Sequence, residues 1–249
     1  MKKVDIYTKL AEIYDSLMDH VDYEKWALYL KELFKYADNE VEYILDLSCG
    51  TGTLLSYIKE EGYRCFGCDI SKHMLKKADK KLEEYNVPIF SNDACNIALH
   101  NQTFDAVLLL YDSINYILRK DYLSQLFKEV NQILHLGGLF IFDTVTEYHC
   151  QTYYQCSYES EYWQKNGYER NSVYDEVSKL QKTHFKIKLG TKYYLENHLQ
   201  RIYSTEELVS VSNENNFVLI GIFQDFTFNP IKRDAERVHY ICKKDKISE

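Results

Sequence analysis

Tyr43-Ile44-Leu45-Asp46-Leu47-Ser48-Cys49-Gly50-Thr51-Gly52-Thr53 is the stretch that decides how the rest of this chain is read. A short apolar run ends in an aspartate, passes through a glycine turn and opens a helix. In an open α/β sheet such a turn lies at the carboxyl edge of the strands, where ligands bind. The layout therefore predicts a pocket for a nucleotide-type cofactor. A dinucleotide fingerprint reads Gly-x-Gly-x-x-Gly, with the first helical turn pressed against pyrophosphate. Here Leu55 stands where the third glycine would be. Asp46, four residues before Gly50, would put negative charge beside a pyrophosphate. The turn suits a ligand carrying an amine or a sulfonium better than a phosphorylated one.

Outward from this turn, strands and helices alternate. Strands are predicted at 42–47, 64–68, 87–91, 104–111 and 138–143, with helices at 53–61, 71–85 and 121–134. In the last helix Tyr122, Leu123, Leu126, Phe127, Val130, Ile133 and Leu134 form one apolar stripe, which Gly137-Gly138 is expected to stop. Ala106 to Leu110 is apolar on both faces, as a doubly covered parallel strand should be. This alternation means a parallel sheet with right-handed crossovers. Residues up to about 37 read as helical, with Asp22 a cap for the second helix. The stretch 147–203 is dense in tyrosine and reads as a small antiparallel sheet. Val177, Phe185, Ile187 and Leu189 are placed on its covered face, with a break at Gly190. Ser204-Thr205-Glu206-Glu207 opens another helix with a capping-box pattern, and strands at 217–223 and 236–243 follow.

The 249 residues suit one large domain, or one domain with an insertion. A formal charge of −8 without a Lys/Arg stripe argues against a nucleic-acid partner. No window has the apolar length of a membrane span, and Met1 to Tyr7 lacks the apolar region of a secretory signal. Seven scattered cysteines do not form a disulfide framework, so a reducing cytoplasm is expected. Cys65 and Cys68 lie three apart on a strand and should face opposite ways. Eight histidines include no His-x-x-x-His pair, so no metal site is expected.

Asp46-x-Ser48-x-Gly50-x-Gly52 resembles motif I of the class I S-adenosylmethionine-dependent methyltransferases, a motif that reads acid-x-Gly-x-Gly-x-Gly. Ser48 is a small residue at the first glycine. The resemblance spans roughly residues 40–145 and implies S-adenosyl-L-methionine as cofactor. It also implies the fold class: α/β, a doubly wound, mainly parallel seven-stranded sheet of the Rossmann-like methyltransferase type. To this it adds an inserted antiparallel sheet and N-terminal lid helices. The expected organisation is a cofactor-binding domain of 1–146 and 204–249, with 1–37 as lid, and a substrate or lid sheet at 147–203.

Residue roles follow from the same resemblance. Asp69, 23 residues after Asp46, would accept hydrogen bonds from the ribose diol, with Ile70 beside it. Met74 would pack near adenine, Asp93 would accept from the adenine amino group, and the Ala94 N–H would reach a ring nitrogen. Tyr14 would sit near the methionyl end. It falls in Tyr14-Asp15-x-x-Met18, which with Val21-x-Tyr23-x-x-Trp26 resembles the lid of a bacterial subgroup acting on small acceptors. Tyr111 joins this cofactor set. Asp112, Asn115 and Tyr116 are the catalytic candidates, since they follow the strand that faces both methyl donor and acceptor; Asp112 and Ser113 equally suit a helix cap. The prolines of the Asn/Asp-Pro-Pro-Tyr pattern of nucleobase methyltransferases are absent here. In the inserted segment Arg170, His198 and Arg201 are substrate candidates, although Arg201 equally suits a neighbouring acid.

The expected reaction is in-line displacement onto a nitrogen or oxygen of a small-molecule acceptor, by a monomer or homodimer. Two other readings are open: a nicotinamide-dependent oxidoreductase, and a non-catalytic regulatory protein that binds the cofactor.

Overall fold

The computed structural model describes residues 1–99 and 103–245; residues 246–249, the end of the expected cofactor-binding domain, lie outside it. A short strand β1 (Lys2–Lys3) leads to a 3-10 turn at Leu10–Glu12 and helices α1 (Tyr14–Leu17) and α2 (Tyr23–Phe34). Then come β2 (Tyr43–Asp46), α3 (Thr53–Glu60), β3 (Arg64–Asp69), α4 (Lys72–Leu82), β4 (Ile89–Ser91) and β5 (Phe104–Leu109). A 3-10 turn at Ser113–Tyr116, α5 (Lys120–Ile133), β6 (Leu134–Val145) and α6 (Glu147–Tyr153) follow. Four strands come next: β7 (Ser157–Trp163), β8 (Asn166–Asp175), β9 (Leu180–Leu189) and β10 (Lys192–Arg201). The described chain closes with α7 (Thr205–Glu214), β11 (Phe217–Gln224) and β12 (Arg237–Lys244).

The main sheet has seven strands in the order β11-β12-β6-β5-β2-β3-β4. Its strands β6 to β4 pair in parallel, whereas β12 runs antiparallel to both β6 and β11. Because β2 pairs with β3 on one side and β5 on the other, the loops leaving β2 and β5 diverge and open a crevice at the strand tips. Apolar residues on both faces of the central strands hold helices on both sides. Ile44, Leu108 and Ile141 pack with Leu30, Leu33, Leu55 and Ile58 of α2 and α3. Leu45, Val107 and Phe140 pack with Leu126, Phe127 and Val130 of α5 on the other face. Cys65 belongs to the first cluster and Cys68 to the second, so the two thiols do face opposite ways.

The second sheet has the order β1-β10-β9-β8-β7 and is antiparallel apart from the β1–β10 pair. Its register lines up Glu159, Arg170, Phe185 and Glu196 across four strands. Side chains alternate along a strand, so Glu196, His198 and Gln200 share one face of β10, and all three are buried. A buried face this polar is unusual for a purely structural sheet and points to a site.

Several boundaries differ from the sequence reading. Helix α5 ends at Ile133 rather than at the glycine pair, because Leu134 already has extended backbone (φ −77°, ψ 142°). Gly137, at φ +78°, lies inside β6 where its register with β5 shifts. Strand β5 stops at Leu109, and Tyr111 and Asp112 both take left-handed backbone. Val177 is 95 % exposed and lies in the β8–β9 turn, not on a covered face. The strand β1 and the helix α6, capped by Thr146, were not anticipated. The Asp22 cap and the Ser204–Glu207 capping box are formed as expected. Among the described residues no helix is long and apolar enough to cross a membrane.

Candidate active site

Gly50 and Gly52 have φ of +57° and +81°, and Gly52 is the N-cap of α3. A Cβ on Gly52 would lie 2.7 Å from Leu82 Cδ1, so both its backbone and its neighbours exclude a side chain. Asp46 is buried behind the turn, where its Oδ1 accepts the Ser48 N–H at 3.0 Å. Burial, with the Asp69 carboxylate nearby, pushes its pKa up to about 7 despite that hydrogen bond. Asp69 ends β3 and ties two strand tips together: Oδ2 accepts the Gly50 N–H at 3.0 Å and Oδ1 the Ser71 N–H at 2.7 Å. Helix α4 is capped by Ser71 Oγ, which accepts the Met74 N–H, so Asp69 is not its cap.

A cavity of about 630 Å³ opens beside this turn. Tyr14, Ser48, Gly50, Asp69, Ile70, Met74, Asp93 and Ala94 line it. Asp93 Oδ1 accepts the Cys95 N–H at 2.9 Å, which holds the loop after β4 in a tight turn. Leu109, Ile117 and Tyr122 complete an apolar wall. The one Lys or Arg among the described lining residues, Arg119, is paired with Asp121. Acids at two strand tips and an apolar slot between them fit an adenosyl group, whereas a pyrophosphate would meet no free cation there. Three expected cofactor residues, Asp46, Gly52 and Tyr111, stand back from this cavity. Gly52 shapes the turn, and Asp46 lines a cleft of about 50 Å³ behind it with Tyr14, Trp26 and Tyr111.

A second cavity, of about 480 Å³, lies between the strand tips and the polar face of the five-stranded sheet. Tyr7, Tyr14, Ser48, Ser113 and Tyr116 line both cavities, so the two adjoin along these side chains. Asp112 sits on the floor, paired with Arg237 Nη2 at 2.8 Å and accepting from Gln200 Nε2 at 2.7 Å. The left-handed Tyr111 and Asp112 aim their N–H groups at the fully buried Asp143 carboxylate, at 2.6 and 3.1 Å. Arg237 also pairs with Asp143. Burial raises the pKa of both aspartates against the pull of Arg237. Burial likewise opposes the Arg237 charge, yet Asp143 and Asp112 outweigh it and hold that guanidinium protonated.

The remaining candidates divide. Tyr116 and His198 line the second cavity and are joined at 2.9 Å through the phenol oxygen and Nδ1. Arg170 lines it too, held by Glu159 at 2.7 Å. Asn115 lines neither cavity; it is fully buried and donates to the Arg201 carbonyl at 2.7 Å. Arg201 lines neither, its guanidinium being 3.1 Å from Glu207. Asp112 and Ser113 do not cap by side chain: Ser113 Oγ donates to the Leu110 carbonyl instead. Sequence reasoning missed Tyr7, Asp143, Glu196, Gln200 and Arg237. Asp143 and Arg237 had a signal, since each stands at a predicted strand end beside the crevice.

A model of a methyltransferase-domain family matches residues 44–138, the segment that carries the glycine turn and the acids of the first cavity. With the strand order and the site, it makes this chain a class I S-adenosylmethionine-dependent methyltransferase, with S-adenosyl-L-methionine as its cofactor. The YqeM protein of Bacillus subtilis is 29 % identical over 97 % of this chain and 98 % of its own. An S-adenosylmethionine-dependent methyltransferase of Clostridium acetobutylicum has the same fold at TM-score 0.83, 26 % identical, over 96 % of this chain and 99 % of its own. A dTDP-3-amino-3,4,6-trideoxy-alpha-D-glucopyranose N,N-dimethyltransferase of Streptomyces venezuelae is 27 % identical over 53 % of this chain and 55 % of its own.

Proposed function

We propose that this enzyme methylates the nitrogen of a small amine held in the second cavity. The observation that carries this reading is the shared border, where Tyr7, Tyr14 and Tyr116 line both cavities. The cofactor, when bound, supplies an electrophilic methyl group on a positively charged sulfur. The chain's part is to align the nucleophile with that group and to exclude water. In this reading Asp69, Ile70, Met74, Asp93 and Ala94 hold the adenosyl group, and Ser48 and Gly50 leave room at the turn. Asp46, behind the turn, and Tyr14 and Tyr111 border the methionyl end.

The acceptor side is lined by Asp112, Glu159 and Glu161 against Arg170 and Arg237, with Tyr111, Tyr154 and Tyr168 as aromatic walls. Carboxylates and aromatic faces together suit a cationic or amphipathic ligand. The amino-sugar relative supports an amine acceptor; a hydroxyl is the second reading, since a relay to His198 can take its proton. Asp112 and Tyr116 are assigned to orient the acceptor, with Asn115 as a strut beneath them. Arg170 and His198 belong to the acceptor wall, and Arg201 to the sheet's support. In domain terms, residues 147–203 serve as the acceptor sheet and residues 1–37 as the lid. Seven free cysteines support a cytoplasmic setting, and we assign a monomer or homodimer.

The test is formation of S-adenosylhomocysteine over a panel of amino sugars, small amines, hydroxyl compounds and nucleic acids. Turnover confined to amines is expected. Turnover confined to nucleic acid would overturn the proposal.

A further inference from the structure

Glu196 is fully buried and receives four donors. Its Oε1 accepts the N–H groups of Lys9 at 2.5 Å and Leu10 at 2.9 Å, and its Oε2 accepts the Tyr7 N–H at 2.7 Å. The fourth is His198 Nε2, 3.3 Å from Oε2. On its other side His198 Nδ1 faces the Tyr116 hydroxyl at 2.9 Å, and Tyr116 oxygen accepts from the Tyr7 hydroxyl at 2.8 Å. The chain of bonds thus leaves the N-terminal segment at the Tyr7 backbone and returns to it at the Tyr7 side chain. Strand β1 lies against β10 next to this ring, with Lys2 opposite Tyr194 and Lys3 opposite Leu195.

The donor count sets the pattern for a neutral ring. A carboxylate can only accept, so the neutral His198 ring presents N–H at Nε2 and a bare lone pair at Nδ1. Tyr116, which accepts from Tyr7, has its own hydrogen free for Nδ1. The Tyr7 hydroxyl hydrogen is committed to Tyr116, so a lone pair is left on the Tyr7 oxygen, where Tyr7 borders both cavities. Edge-on aromatic contacts lock the rings: Tyr7 and Phe185 stand 5.0 and 5.2 Å from the His198 imidazole.

We propose that Tyr7, Tyr116 and His198 form a proton relay for the acceptor, and that Glu196 is a positioning residue that assembles it only when residues 1–13 are seated. This rests on the second cavity holding the acceptor. In the step, the acceptor's N–H or O–H bond breaks and its electron pair stays on the nucleophilic atom. The proton goes to Tyr7 oxygen, the Tyr7 proton to Tyr116 oxygen, and the Tyr116 proton to His198 Nδ1. The imidazolium so formed is held by Glu196 and later gives its proton to solvent. No phenol ends the step ionised. Burial pushes the pKa of both Tyr7 and Tyr116 upward, which suits a transfer through neutral phenols. Opening of the N-terminal segment would withdraw Tyr7 and break the relay, so the proton path would exist only over a closed site.

The experiment uses the full chain, ¹⁵N-labelled at histidine, with S-adenosylhomocysteine as the probe. Long-range ¹H–¹⁵N spectra report which ring nitrogen carries the proton, and His198→Gln identifies the resonance. The wild-type ring should be a single Nε2–H tautomer. Tyr116→Phe should move the Nδ1 resonance and leave the amide exchange of residues 7–10 unchanged. Glu196→Gln should mix the tautomers and raise that exchange about tenfold, since bonds to a charged acceptor are lost. A wild-type Nδ1–H ring would overturn the proposal, as would a Glu196→Gln protein that keeps both tautomer and exchange. The wild-type spectrum decides the matter even if a variant fails to fold. If instead the spectra agree and the amine panel is silent, it is the acceptor reading that fails.

Discussion

Arg237 Nη2 lies 2.8 Å from Asp112 Oδ1, and the same guanidinium pairs with Asp143, so one residue of β12 bridges two carboxylates at the tips of β5 and β6. Without that cation the floor of the second cavity would hold two buried carboxyl groups with no opposite charge beside them. Arg237→Met keeps much of the volume and removes the charge. We expect a loss of about 3–5 kcal/mol, the usual cost of breaking a buried pair from one side. In a chain of this size that lowers Tm by about 6–20 °C, read by calorimetry. A drop of under about 2 °C would show that the pairs are not formed in solution.

Asp69→Ala should weaken cofactor binding. Hydrogen bonds to a charged group contribute about 1.5–3 kcal/mol, so a loss of roughly tenfold to a hundredfold in S-adenosylhomocysteine affinity is expected by calorimetric titration. Because Asp69 also accepts from Gly50 and Ser71, the thermal transition must be recorded alongside. Unchanged affinity would mean that the ribose lies elsewhere.

Asp46 carries a pH prediction. Its pKa rises from 3.8 to about 7 on folding, so the folded protein holds a proton in this window that the unfolded chain releases. The stability due to this group is complete below pH about 4 and declines as pH rises toward 7. Asp46→Asn should flatten that decline in melts across pH 4–8. Ionised Asp46 favours a cationic sulfur, so the preference for S-adenosylmethionine over S-adenosylhomocysteine should grow as pH passes 7. That growth should vanish in Asp46→Asn; its persistence there would assign the effect to another group.

Gly52→Ala should destabilise the fold by about 2–4 kcal/mol, combining left-handed backbone with overpacking against Leu82. Urea melts read this directly. A neutral substitution would show that the turn can relax.

Ligand stabilisation separates the cofactor classes. At a hundredfold excess over Kd a ligand adds about 2.7 kcal/mol, so S-adenosylhomocysteine should raise Tm by about 5–10 °C while NAD leaves it in place. The reverse pattern would favour the oxidoreductase reading.

Much of the sheet was legible because its signals are local. Ile44 and Leu45 are apolar neighbours facing opposite ways, and the position of Gly52 admits no side chain. The second cavity was much harder to read. Glu196, His198 and Gln200 alternate along one strand, yet nothing in their spacing says that this face is covered. That depends on the register of four strands and on a segment 186 residues earlier, where Leu10 donates to Glu196. Arg201 and Asn115 show the converse: each stands in a promising motif, but one turns to Glu207 and the other to a backbone carbonyl. Val177 had the right period and the wrong place, because a turn interrupted the strand. Long-range pairing is invisible to a pattern read along the chain.

A crystal structure with bound S-adenosylhomocysteine tests the central claim most directly. The account predicts the ribose hydroxyls on Asp69, adenine between Met74 and Asp93, and the sulfur at the wall formed by Tyr7, Tyr14 and Tyr116, facing the second cavity. A sulfur turned away from that wall, or an adenine outside the first cavity, would contradict it.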